Sequence, residues 1–299
     1  MTESKPRFGF PGTIFLGTED ERVSAIVRIG FSAAALFNLM LLWPNRAALF
    51  ATGGTLDFQA TVDRSEIGTV LLFHAFQTPF GVSILMLAVG LALLMLMTGI
   101  LPRIAAIFVF VWHLSYCERA PVSLAGWDWV LRAFAFLVMV SPMGRWLPTV
   151  PRRVASYGLV LMRLQVLAIY FQTVASKLTN ADPYWRNGEF LSYFLMSHFA
   201  RWPATWAAEH TRLLQMGTYL ALVAELAIPI LLYVRRTRFY GALLGLLLHG
   251  SICVVGRNFE PFLLTMIMTY LAFLTTSDVG FLQRWTLRLT ARNRQSAET

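Results

Sequence analysis

The sequence predicts an all-α, polytopic membrane bundle of about eight transmembrane helices, and three observations carry that prediction. Of 299 residues, 57% are hydrophobic and only 14% are charged, where a soluble domain of this size carries about a quarter. The mean hydropathy is positive. Apolar runs at 23–43, 80–98, 155–175, 213–234 and 240–256 approach or reach the length that crosses hydrocarbon as a helix. Runs at 103–117, 127–141 and 259–275 are shorter, but each is apolar and bounded by polar loops. The chain divides accordingly into an N-terminal segment, 1–22, a transmembrane domain, 23–275, and a basic tail, 276–299.

The first run retains its helix, because residues 1–22 end in "TEDER" and lack a short apolar region with a small-residue cleavage site. With eight spans the loops fall into two sets. One set holds 14 of the 25 Lys and Arg, the other 8, and Arg28, Arg132 and Arg163 lie within spans. The positive-inside tendency then places both termini in the cytoplasm of an inner-membrane, multi-pass protein, with Lys177 facing outward. The tail arginines read as a contact to the bilayer surface rather than to nucleic acid.

Two outward loops, 44–79 and 176–211, are long enough to cover the spans as lids or interfacial helices, and Trp185, Trp202 and Trp206 suit the headgroup level. The third and seventh runs contain "HLSYC" and "HGSIC", which set His113 with Cys117 and His249 with Cys253 on helical faces at i, i+4. Three readings fit them: unpaired core thiols, a disulfide, or four ligands of one metal. The first is the plainest, and no metal is expected.

Ionisable groups in hydrocarbon are costly and mark function by default. The fourth run opens with "GWDWVLR", where Asp128 and Arg132 stand at i, i+4 and are expected to pair. In the fifth run Arg163, Tyr170 and Lys177 recur every seven residues, with Thr173 beside them, a polar stripe on one slowly drifting face. Lys177 either snorkels to the headgroups or serves a site. Glu225, in "AELAIP" four residues before Pro229, is expected to partner Arg163 or Arg132.

The segment "MRLQVLAIYFQTVASKLTNADPYWRNG" resembles the membrane domain shared by vitamin K-dependent gamma-carboxylases and their bacterial relatives, the horizontally transferred transmembrane (HTTM) domain. Arg163, Gln165, Tyr170, Phe171, Lys177, Leu178, Trp185 and Gly188 carry the likeness. "RIGFSAAALF", "GWDWVLRAF", "AELAIP" and His249 add to it, so that it covers roughly residues 22–275.

The resemblance implies that Lys177 is the general base that deprotonates a reduced vitamin K-type quinone arriving from the bilayer. Arg163, Tyr170, Trp185, Gly188 and His249 would then bind quinone or substrate, and Asp128, Arg132 and Glu225 would be structural polar residues. The activity implied is carboxylase or quinone-epoxidase-like, formally a carbon–carbon lyase, on a small or peptidic substrate. The chain departs from the carboxylases in carrying Ser176 where they have a first lysine, Ala125-Gly126 where they have Asn-His, and no large luminal domain. A non-catalytic membrane subunit or peptide-maturation factor is therefore an alternative, and a small transporter using Arg163, Asp128, Arg132 and Glu225 is another. A transporter predicts a path continuing past Arg163; an enzyme predicts a closed pocket with Lys177 turned inward.

Overall fold

The computed structural model describes residues 17–64, 71–146, 151–179, 183–202, 204–281 and 283–284. Most of the expected N-terminal segment, with Lys5 and Arg7, lies outside them, as does most of the basic tail, including Arg288, Arg292 and Arg294.

Eight helices coincide with the eight apolar runs: α1 (Glu21–Leu42), α2 (Pro79–Thr98), α3 (Pro102–Arg119), α4 (Gly126–Val140), α5 (Tyr157–Thr179), α6 (Thr211–Tyr233), α7 (Arg238–Val255) and α8 (Glu260–Tyr270). Five of them, α1, α2, α5, α6 and α7, are long and apolar enough to cross a bilayer. The other three differ for reasons of length and composition. α3 has 18 residues but ends in Cys117-Glu118-Arg119, and α4 and α8 have 15 and 11. At 1.5 Å per residue the last two rise only about 17–22 Å, short of a ~30 Å core.

Local chemistry sets the ends. Asp20 caps α1 by accepting from Arg22 N at 2.9 Å, and the Arg22 guanidinium holds the Asp20 carboxyl below the usual carboxylate range. Thr78 caps α2 through Gly81 N at 3.0 Å, with Pro79 in the first turn. Two three-residue strands, β1 (Thr18–Asp20) and β2 (Arg153–Ala155), pair antiparallel and tie the start of α1 to the start of α5. With one isolated antiparallel bridge, Ala200 to Gly256, they are the departures from an all-α chain among the described residues.

α1 is the hub, packed against α2, α4 and α8, while α5 packs on α4, α6 and α8, and α7 on α6 and α8. Half of α1 is buried against 17% of α7. Large apolar side chains such as Leu87, Leu91, Val223 and Leu247 are exposed around the bundle, the surface a lipid solvent requires and water penalises.

The arginines close one end. The C-termini of the even-numbered helices gather there, and each receives a guanidinium. Arg28 donates to Leu96 O and Met97 O of α2, Arg103 to Met139 O of α4, and Arg238 to Leu232 O of α6. Beyond α8, Arg163 donates to Ala272 O and Arg238 to Phe273 O. Orphan carbonyls at the negative end of each helix dipole thus meet a cation. Two of these caps, Arg103 and Arg238, are among the loop arginines that the sequence offers as a topology signal, and the other two, Arg28 and Arg163, come from within the spans.

At the opposite end Arg119 is fully buried and donates to Phe50 O, Ala51 O and Leu56 O at 2.9–3.1 Å, pinning the loop after α1 over the Phe50–Phe73–Trp112 ring cluster. Arg119→Met is expected to cost about 3 kcal/mol by orphaning three buried carbonyls. Thermal unfolding measures the loss, and limited proteolysis reads the released loop.

Candidate functional site

The C-terminal half of the bundle encloses a cavity of about 1110 Å³ at the end opposite the arginine caps. Its walls are α5, α6, α7 and the first turns of α4 and α8. Its roof is the segment after α5, with the short helix Phe190–Met196, so the expected lid over the spans is present. The α5 helix runs to Thr179, past the predicted end at 175, and Lys177 therefore sits in its last turn.

Lys177 turns inward. Its Nζ donates to Glu225 Oε1 at 2.5 Å and Oε2 at 2.7 Å, and lies 4.0 Å from the centroid of the Trp185 ring. Side-chain exposures of 17% for Lys177 and 9% for Glu225 put the pair out of bulk water. Carboxylate and indole face together match the ammonium. Pro229, one turn beyond Glu225 in α6, lacks the N–H that would bond the Glu225 carbonyl and loosens the helix there.

About 10 Å along α5 towards the arginine end, Tyr170 forms the floor. Its hydroxyl is hydrogen-bonded to His249 Nε2 at 2.7 Å and, more closely, to the Tyr270 hydroxyl. Gly245 makes room for this group, since a Cβ there would collide with the Tyr270 ring and hydroxyl. His249 is 2% exposed and lines the cavity, and its second ring nitrogen, Nδ1, has no partner among the described residues. An orphaned buried polar atom of this kind is costly unless a ligand or water completes it.

Rings join the two polar places. From Trp185 the arc runs to Phe190 (3.8 Å between centroids), Phe194 (6.1 Å), Phe259 (5.9 Å), Phe262 (6.5 Å) and His249 (4.8 Å). All six line the cavity. Such a wall suits a flat, apolar, aromatic ligand with polar atoms at its ends.

The lid is sewn down at both edges. Gln215 Nε2 donates to Asn187 O at 2.7 Å and Tyr219 Oη to Arg186 O at 3.0 Å. Leu191 N donates to Thr218 Oγ1 at 3.1 Å. At the far side Arg201 N donates to Val255 O and Arg257 N to Phe199 O, both at 2.8 Å. Gly188 holds the turn with φ +82°, and a Cβ there would strike Gln215 and Tyr219. Gly188→Ala is expected to cost about 1–2 kcal/mol and to speed chymotryptic cleavage of residues 184–199.

Several sequence expectations change. Glu225 partners Lys177, and neither Arg163 nor Arg132. Arg163 belongs to the arginine-capped end, pairing with Glu19 Oε1 at 3.1 Å, and does not line the large cavity. Periodicity along α5 could not reveal this, because the stripe crosses from one end of the bundle to the other. Asp128 does not pair with Arg132. It accepts from Tyr116 Oη at 2.6 Å, Asn38 Nδ2 at 2.9 Å and Ala125 N at 2.8 Å, while Arg132 turns to Glu118 at 3.3 Å. Gly188 shapes the lid rather than lining the cavity. Cys117 and Cys253 are unpaired, and no group of three metal-ligating side chains occurs among the described residues. His113 lies against Phe31 and Tyr116, apart from the His249 site. Trp185 lies over Lys177.

Tyr270, Thr218 and the Phe190–Phe262 arc were not singled out in the sequence. Phenylalanines in an apolar chain carry no signal of their own, but a tyrosine in the last apolar run did offer one.

No protein-family model matches the chain, nor does any curated protein or solved structure.

Proposed function

We propose that the protein is an integral membrane enzyme of the HTTM, vitamin K-dependent gamma-carboxylase-like type. It removes a proton from a lipid-soluble reduced quinone, with Lys177 as general base. The observation that carries this reading is the blind end of the cavity. The walls run from the Lys177–Glu225 pair past Tyr170 and His249 to Leu244 and Met266, and they share no lining residue with a separate cavity of about 170 Å³ lined by Arg163 and Arg238. A translocation path would join the two, so the small-transporter reading loses its main expectation.

The residues present fit the ligand class. Six rings line the space that a naphthoquinone-type ring would fill, and two polar places stand at the ends of their arc. The unpartnered His249 Nδ1 offers a hydrogen bond to a ligand oxygen. When bound, a reduced quinone supplies electrons to oxygen and, in the carboxylases, the strong base that opens the substrate carbon to carbon dioxide. The chain's own part is narrower. Lys177 passes its own proton to the Glu225 carboxylate across the 2.5–2.7 Å bidentate contact and, as the neutral amine, accepts the quinol proton, leaving an ammonium beside a neutral carboxyl, while Trp185 and Phe190 exclude water above them. Ala125 and Gly126 line the cavity without polar side chains, so His249 and Tyr170 do the polar work that Asn-His does in the carboxylases. A small-molecule or peptide substrate would enter from the outer face.

The same reading takes all eight helices through an inner membrane with both termini cytoplasmic. The arginine-capped end then lies inside, as the positive-inside tendency favours, and the short α4 and α8 are shielded by α1, α5 and α7.

Oxygen uptake on adding reduced naphthoquinone to the protein in nanodiscs tests the activity. Wild type is expected to show saturable uptake above the uncatalysed rate, and Lys177→Met to lose at least a hundredfold. Equal uptake by a folded Lys177→Met variant would refute the base assignment.

A further inference from the structure

We propose that the smaller cavity binds the phosphate of an anionic phospholipid. It lies between the start of α5, the end of α6, the start of α7 and the segment after α8, lined by Val160, Arg163, Tyr233, Arg238 and Phe273. At about 170 Å³ it has room for a phosphate group but not for an acyl chain or a ring system.

Charge is unmatched there. Arg163 uses Nε on Ala272 O and Nη1 on Glu19. Arg238 uses Nε on Leu232 O and Nη1 on Phe273 O, and has no carboxylate partner among the described residues. Each guanidinium has five N–H donors in a fixed fork, so each keeps an Nη2 edge beyond these bonds. Arg163 and Arg235 face Arg238 with the same sign, and Glu19 and Asp278 with the opposite one. Glu19 is already bridged to Arg163, and Asp278 is held by Thr275 N and Oγ1 at 2.6–2.8 Å. Arg163, Arg235 and Arg238 against Glu19 and Asp278 leave a positive excess of one, with two of the guanidinia partly buried, and an anion offsets it. A phosphate matches the planar fork in geometry as well as in charge.

The surroundings select a lipid over a soluble anion. Tyr233 lines the cavity, Val234 and Phe239 are the chain neighbours of the lining residues Tyr233 and Arg238, Tyr240 follows, and all four are about half exposed or more. They form an aromatic and apolar rim at the end of the lipid-facing belt, where headgroups lie. Acyl chains would run from this rim along the exposed surface of α6 and α7.

The test is a thermal-unfolding titration of purified, delipidated protein in detergent with short-chain phosphatidylglycerol, short-chain phosphatidylcholine and inorganic phosphate. Phosphatidylglycerol is expected to raise the midpoint saturably and phosphatidylcholine to leave it unchanged. Arg238→Gln is expected to raise the half-effect concentration at least tenfold, measured against that variant's own baseline. Arg236→Gln, exposed and outside the cavity, should shift it less than threefold. Because Arg238 also caps two helices, Val160→Phe supplies a second variant that fills the cavity and keeps every charge; it too should abolish the response. Equal stabilisation by phosphatidylcholine, or an undiminished response in both cavity variants, would overturn the proposal. A matching shift with inorganic phosphate at the same concentration would overturn the lipid and assign the cavity to a soluble anion.

Discussion

Glu225→Leu is expected to destabilise the protein by about 3 kcal/mol or more, and the double variant Lys177→Met/Glu225→Leu to recover most of that loss. Removing one member of a desolvated pair strands the other charge, while replacing both with apolar groups of similar size is close to neutral. Here the ammonium sits 2.5 and 2.7 Å from the two carboxylate oxygens, in a wall made mostly of rings and aliphatic side chains. Lys177→Met alone should fall near Glu225→Leu. Unfolding in detergent across the four proteins gives the coupling directly. Two single effects that simply add in the double variant would mean the pair is not coupled. Function should not follow stability: the double variant, though stable, is expected to be inactive, because the proton acceptor is gone.

Asp128→Leu is expected to cost about 3–5 kcal/mol, and Arg132→Leu less than 1 kcal/mol. The carboxylate satisfies a phenol from α3, an amide from α1 and the backbone N–H that opens α4, and losing it leaves three buried donors unmet. Arg132 meets Glu118 at 3.3 Å with both side chains about one-third exposed, a pair of the kind that contributes little. Trp127, whose Nε1 donates to Asn38 Oδ1 at 3.2 Å, also lines the cavity. Loss of Asp128 should therefore disturb ligand binding from a distance. Unfolding midpoints decide the point, since a structural Asp128–Arg132 pair would give the two variants similar losses.

The helices were legible because their signal is long-range in composition and short-range in cause. Apolar runs of the right length, bounded by polar loops, mark them without tertiary information. The same signal located Lys177 and the lid after it. Pairing was not legible. Residues four apart on a helix are neighbours whatever the fold, so Asp128 and Arg132 invited each other. The structure instead brought Asn38 and Tyr116, 90 and 12 residues away, to the carboxylate. Glu225 likewise had two basic candidates in the sequence, Arg163 and Arg132, and the packing of α5 on α6 selects neither but Lys177. Arg163 shows the converse. A seven-residue spacing correctly sets it on one face with Tyr170 and Lys177, but that face spans two different ends of the molecule.

The most direct measurement is photolabelling of the protein in nanodiscs with an azido-naphthoquinone, followed by peptide mapping. The account predicts labels on the cavity walls, at Trp185–Phe199, Gly217–Glu225 and His249–Phe262, competed by unlabelled reduced naphthoquinone and lost in a Gly217→Trp variant that fills the space below the lid. Uncompeted labelling, or competed labelling confined to the N-terminal half around α2 and α3, would contradict the account and leave the Lys177–Glu225 pair as a structural tie between α5 and α6.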